Sequence, residues 1–183
     1  MPLPSSRTPE GFPERCPVCG NEFQIDPTIP PGDAPCPSCG SLVWFRLAAL
    51  LRDFPFFVED AAAAELDCSS AGEAIEVLVG RLADVGAIGS ECRDDIFKTI
   101  VERERLGSTA IGRGVAVPHC RHDSIDHLVG TWGFSADGVD FGSLDGEPTH
   151  LVLLLIAPEN RRGELLRALE RISGRLRHLD FSR

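Results

Sequence analysis

Gly107-Ser108-Thr109-Ala110-Ile111-Gly112-Arg113-Gly114-Val115-Ala116-Val117-Pro118-His119 is a glycine-punctuated apolar run that delivers one histidine directly after a proline. Gly112 and Gly114 open backbone conformations closed to other residues. Val115 to Val117 read as a short buried strand, and Pro118 fixes φ immediately before the imidazole. A side chain carried stiffly at a strand end is presented, not packed, and a neutral imidazole there is a good nucleophile.

Helices and strands alternate on either side of this run. Ser70-x-x-Glu73 forms a capping box ahead of Ile75, Leu78, Val79 and Leu82, which share one helical face. A second helix is expected from Arg93 to Leu106, with Ile96 and Ile100 inward and Gly107 as its stop. Strands are expected at Val115 to Val117, Leu128 to Phe134 and His150 to Ile156, the last so aliphatic that it belongs at the centre of a sheet. A closing helix from Arg161 to Leu176 carries Leu165, Leu169, Ile172 and Leu176 at helical spacing. The order implies an α/β domain, a mixed β-sheet flanked by helices.

Arg103-Glu104, followed by Gly-Ser-Thr-x-Ile-Gly-x-Gly-Val-Ala-Val-Pro-His-x-Arg ending at Arg121, resembles the phosphorylation-site signature of the fructose/mannitol-type (type 2) EIIA domain. That domain is the phosphocarrier of the bacterial phosphoenolpyruvate-dependent phosphotransferase system, found in sugar permeases and nitrogen-related regulators. The likeness runs from about Leu66 to the C-terminal region. It implies a cytoplasmic protein in which His119 accepts a phosphoryl group from an HPr-like donor and passes it to a protein acceptor or reports its phosphorylation to a regulatory target. Many members also carry a second histidine in a His-Leu-x-x-Leu pattern near the start of the last long helix. Here that pattern aligns on Leu165-Leu166-Arg167-Ala168-Leu169, which places leucine at the histidine position.

Phosphoryl transfer needs an unprotonated imidazole nitrogen and hydrogen-bond donors for the phosphoryl oxygens. His119 supplies the first. Ser108 and Thr109 offer hydroxyls, and Arg103 offers a guanidinium fork suited to phosphate. The resemblance implies Arg103 and Thr109, since family members place an arginine and a threonine in this region. The plainer alternatives are a solvated surface charge for Arg103, among Glu102, Glu104 and Arg105, and a turn role for Thr109. Cys120, adjacent to His119, reads as a small filler.

A second signal precedes this domain. Cys16-Pro-Val-Cys19-Gly and Cys36-Pro-Ser-Cys39-Gly are matching knuckles separated by sixteen residues. Cys16, Cys19, Cys36 and Cys39 fit a tetrahedral four-thiolate site for one structural zinc ion per chain. Iron in a rubredoxin-like site and disulfides are the alternatives. Glycine after each second cysteine suits a turn with positive φ. The surrounding stretch is too rich in proline and glycine to bury much apolar surface, so metal would supply its folding free energy, on the order of 10 kcal/mol. The expected layout is a tail over 1–10, a zinc ribbon over 11–45, a linker with a short helix over 46–65, and the EIIA-like domain over 66–183.

Charge and hydropathy narrow the partners. With 28 acidic and 18 basic residues the formal charge is −10, which argues against nucleic acid or an anionic membrane as partner. Arg15 is the one basic residue between Gly11 and Phe45, so the ribbon itself does not suit a phosphate backbone. No membrane insertion is expected, because the most apolar run, Leu42 to Leu51, is short and broken by Arg46. Two readings follow: a phosphocarrier or regulatory component working through His119, or an EIIA-like protein-interaction and sensor domain without transfer, coupled to the zinc ribbon. A zinc hydrolase fits poorly, since a four-thiolate site is closed.

Overall fold

The central strand follows directly from composition: Thr-His-Leu-Val-Leu-Leu-Leu-Ile-Ala-Pro cannot face water on either side, and all ten residues of β9 (Thr149–Pro158) are buried. The computed structural model of the chain describes residues 12–15, 19–25, 33–39, 42–44, 51, 53–63 and 65–176. The expected tail over 1–10, residues 45–50 and 52 at the start of the expected linker with its short helix, and His178 lie outside them.

Residues alternate across β9. Leu151, Leu153, Leu155 and Ala157 enter one buried cluster, and Val152, Leu154 and Ile156 enter another on the opposite face. The second cluster is closed by α1 (Ala71–Asp84) and α2 (Arg93–Arg105), through Ile75, Leu78, Leu82, Ile96 and Ile100. The first is closed by α3 (Arg162–Leu176), through Leu165, Ala168, Ile172 and Leu176. The expected helix-flanked mixed sheet is therefore observed.

Local signals set the helix ends. The Ser70 hydroxyl accepts from the Glu73 N–H while the Glu73 carboxylate accepts from the Ser70 N–H, completing the capping box of α1. α2 opens with Asp94 and Asp95 and closes with Arg103 and Arg105, charges that complement its dipole at both ends.

The sheet is more continuous than periodicity suggests. β5 (Ala110–Gly112) pairs antiparallel with β6 (Val115–Ala116), which runs parallel to β9. After Val117 and Pro118 the chain resumes as β7 (His119–His122), again parallel to β9, with His119 opposite Leu155. The Leu155 N–H donates to the Pro118 carbonyl at 3.0 Å, so β6 and β7 form one interrupted line along the same edge of β9. Proline is tolerated because its missing donor falls at that interruption. On the other edge β8 (Val129–Val139) runs antiparallel, pairing Val129 with Ile156 through Phe134 with Leu151.

The outer edge of β8 is covered by the stretch expected to bridge the two modules. Val58 N–H donates to Gly130 O, Gly130 N–H to Phe56 O, Ala63 N–H to Trp132 O, Phe134 N–H to Ala63 O and Leu66 N–H to Phe134 O, at 2.7–2.9 Å. Arg81 of α1 clamps the same stretch by donating to the carbonyls of Ala61 and Ala62. An edge with unpaired backbone groups is thereby closed.

Ahead of this domain, β1 (Phe12–Arg15) pairs antiparallel with β2 (Glu22–Ile25), and β3 (Asp33–Pro35) with β4 (Leu42–Trp44). Among the described residues these are two separate two-stranded hairpins. No described helix is long and apolar enough to cross a membrane.

Candidate phosphohistidine site

The turn before His119 is built as its glycines suggest. Gly112 and Gly114 have φ of +82° and +74°, and Arg113 between them also sits in the left-handed region at +56°. The Arg113 N–H donates to Asp145 Oδ2 at 2.9 Å, tying this turn to the loop between β8 and β9. The Ser143 hydroxyl, and then that contact, hold the Asp145 carboxyl below the usual carboxylate range.

β6 leaves this turn and delivers His119 with one ring nitrogen already committed. Nδ1 lies 2.8 Å from the Val117 carbonyl oxygen. A carbonyl only accepts, so Nδ1 carries the hydrogen, and in the neutral ring the lone pair is on Nε2. His119 is half-buried, and this desolvation is the main cause of a pKa below the ordinary imidazole value near 6.5; the Arg103 guanidinium acts in the same direction, against the Val117 hydrogen bond and Glu104. At neutral pH the ring is therefore unprotonated, with the Nε2 lone pair available. Removing the guanidinium, in Arg103→Gln, is expected to move the His119 midpoint up towards the ordinary value in an NMR titration. A midpoint that stays put would mean that Arg103 does not act on this ring.

The sequence-derived candidates meet at the junction of α2 and β5. Arg103, in the last turn of α2, donates through Nη1 to the Gly107 carbonyl at 2.9 Å while its charge acts on His119. Thr109 is buried; its N–H and its hydroxyl donate to the two oxygens of Glu104, at 2.8 and 2.7 Å. The Thr109 carbonyl in turn accepts from Val117 N–H at 3.1 Å, so Glu104, Thr109, Val117 and His119 form one chain of hydrogen bonds. Ser108 Oγ donates to the Phe141 carbonyl at 2.5 Å and accepts from Ala110 N–H. Its proton is committed to fixing the loop.

Glu104 is the site residue that helical periodicity conceals. On a polar helix face it reads as one more surface charge, yet its carboxylate braces both donors of Thr109. The Val117 carbonyl is likewise invisible in sequence, because any residue at that position supplies one.

Neighbouring groups have other duties. Cys120 is buried, and burial, with the charge of Glu159 adding to it, pushes its thiol up to about 12. It is expected to resist alkylation by iodoacetamide at pH 8 in the folded protein, reacting only after denaturant is added; fast native labelling would contradict its placement. The His122 ring accepts at Nδ1 from Ser124 and faces Asp95 of α2 through Nε2 at 3.1 Å, pinning that helix to β7. His127 pairs with Asp126, and His150 Nδ1 with the Ser135 carbonyl. Leu165 is buried in the cluster under α3. Among the described residues no second histidine joins His119.

Comparison with known proteins agrees with this architecture. The family model for the phosphoenolpyruvate-dependent sugar phosphotransferase system, EIIA 2, matches residues 55–183, and the chain belongs to that family. Domains of this family are phosphotransfer components that work through a phosphohistidine. A nitrogen regulatory protein of Bradyrhizobium diazoefficiens is 34% identical over 118 residues, covering 64% of this chain and 75% of that protein. The fructose-specific EIIA component of Haloferax volcanii is 30% identical over 107 residues, covering 58% and 68%. Among solved structures, the nitrogen regulatory protein IIA-Ntr of Neisseria meningitidis is similar with a TM-score of 0.59 at 29% identity, covering 65% of this chain and 80% of that one. Both cysteine knuckles precede the part matched by the family model.

Proposed function

We propose that His119 accepts a phosphoryl group from a phosphorylated HPr-like carrier protein, and that the chain passes it to a protein acceptor or signals its phosphorylation state to a regulatory target. The observation that carries this reading is the fixed ring of His119, with Nδ1–H on the Val117 carbonyl and the lone pair on Nε2. Nε2 attacks phosphorus, the Nε2–P bond forms as the donor's bond to phosphorus breaks, and that electron pair returns to the donor. The hydrogen on Nδ1 stays in place, and its bond to Val117 offsets the positive charge that develops on the ring. Arg103 supplies positive charge beside the phosphoryl oxygens. Thr109, braced by Glu104, holds the strand from which the histidine projects, and its hydroxyl would reach phosphate only by leaving that carboxylate. Phosphorylation adds about two negative charges to a chain that already carries −10, a change able to release or recruit a docked protein. Such a relay would operate in the cytoplasm, where the donor is made.

A second reading rests on Leu165, which stands where the family resemblance implies a second histidine. In that reading the domain keeps the fold as an interaction module or sensor without transferring phosphate.

Incubation of the full chain with phosphoenolpyruvate, enzyme I and HPr, followed by intact mass measurement, separates the two. Phosphocarrier function predicts one acid-labile phosphoryl group per chain. Folded protein that gains none, while HPr in the same mixture is phosphorylated, favours the sensor.

A further inference from the structure

We infer that the two N-terminal hairpins hold one zinc ion through cysteine thiolates, a site outside the family-matched domain and independent of His119. Each hairpin carries its C-x-x-C knuckle in the connection between its strands: Cys16 and Cys19 between β1 and β2, Cys36 and Cys39 between β3 and β4. The Sγ atoms of Cys19, Cys36 and Cys39 all lie within 4.8 Å of one another. Those of Cys19 and Cys36, from different hairpins, are 3.7 Å apart. Four sulfurs set tetrahedrally round zinc at about 2.3 Å are about 3.8 Å from each other, so this spacing is that of two thiolates sharing an ion. It is also far beyond the S–S bond length of about 2.05 Å.

Two further features join the knuckles. Asn21 Nδ2 donates to Ser38 Oγ at 2.6 Å, linking one connection to the other. Gly20, directly after Cys19, has φ of +72°, the turn expected where backbone N–H groups are aimed at sulfur. Cys16 lies outside the described residues. It enters as fourth ligand from sequence alone, because it precedes Cys19 by the spacing at which Cys36 precedes Cys39. The all-sulfur set selects a soft or borderline ion and leaves no open coordination position, so the role is structural. Cys36 also belongs to the buried cluster beneath α3, with Leu51, Phe54 and Val117. The ion would thus secure a hairpin that packs on the phosphocarrier domain.

The test is elemental analysis of the full chain purified without chelator, alongside cobalt(II) reconstitution of the metal-stripped chain. Zinc at about one per chain, and a cobalt form with the intense visible and near-ultraviolet absorption of tetrahedral thiolate ligation, are expected. Cys19→Ser and Cys39→Ser, both at exposed positions, should each lower zinc content at least tenfold under competition with a chelator, whereas Cys68→Ser and Cys92→Ser should retain it. Metal-free wild-type protein that gives no thiolate–cobalt spectrum would overturn the inference. So would iron in place of zinc, or unchanged zinc content in Cys39→Ser. The cobalt spectrum is read on the wild-type chain, so it stands even where a variant misfolds.

Discussion

His119→Ala is expected to abolish phosphorylation by phospho-HPr completely, with no residual adduct in the intact mass. The effect is all or none because no other described imidazole stands in reserve. His122 is held between Ser124 and Asp95, His127 pairs with Asp126, and His150 faces the Ser135 carbonyl. Cys120→Ala, one residue away, is expected to keep full labelling, since a thiol pushed up to about 12 supplies almost no thiolate at neutral pH. Full labelling of the His119 variant would place the phosphoryl group elsewhere and remove the basis of the proposed function.

The largest expected effect on the fold lies across the central strand from the histidine, at Gly130, which pairs with the same Leu155. A Cβ there would lie 2.5 Å from the Leu154 carbonyl oxygen, 2.8 Å from Leu155 Cδ2 and 3.2 Å from Phe57 Cδ1. The first of these is backbone of the central strand, and Gly130 also bonds to Phe56 and Val58 on its other side, so it has no direction in which to retreat. Gly130→Ala should therefore destabilise by about 3 kcal/mol, the upper end of the usual cost of overpacking, measured by urea denaturation. Gly174→Ala is the control: no described atom outside its own helical neighbourhood lies within 4 Å of its Cβ, in the last turn of α3. It should stabilise by about 0.5–1 kcal/mol. Equal midpoints for Gly130→Ala and wild type would mean that β8 and β9 are not paired in this register.

The contrast between these two sites marks what the sequence makes legible. The helices α1, α2 and α3 announce themselves through a 3.6-residue apolar period, the Ser70–Glu73 box and the glycine at 107, and β9 through its unbroken aliphatic run. These are local signals, and each needs only its own residues. β7 is different: His-Cys-Arg-His reads as polar and follows a proline, and its strand conformation comes from pairing with Leu155 to Pro158, which are more than thirty residues away. β5 and the edge segment from Phe56 to Leu66 share that origin, since the hydrogen bonds that shape them are made to β6 and β8. The expected end of the strand beginning at Leu128 fell at Phe134, where the apolar pattern stops. The structure continues it to Val139 through a register shift before the Val139–Thr149 pair.

The site divides in the same way. His119 is legible because the proline before it and the glycines upstream have no better use, and the motif that contains them is long. What makes the imidazole useful is not legible: the Val117 carbonyl that fixes its tautomer, and Glu104, whose side chain turns from the helix surface to brace Thr109. Ser108, a candidate donor by residue type, holds the Phe141 carbonyl, a partner thirty-three residues later that no local pattern names.

The most direct test of the account is to phosphorylate uniformly 15N-labelled protein with phosphoenolpyruvate, enzyme I and HPr and record the ring-nitrogen spectrum. The geometry predicts phosphorus on Nε2 of His119, with Nδ1 still protonated and hydrogen-bonded to Val117. Phosphorus on Nδ1, or on any other residue, would contradict it.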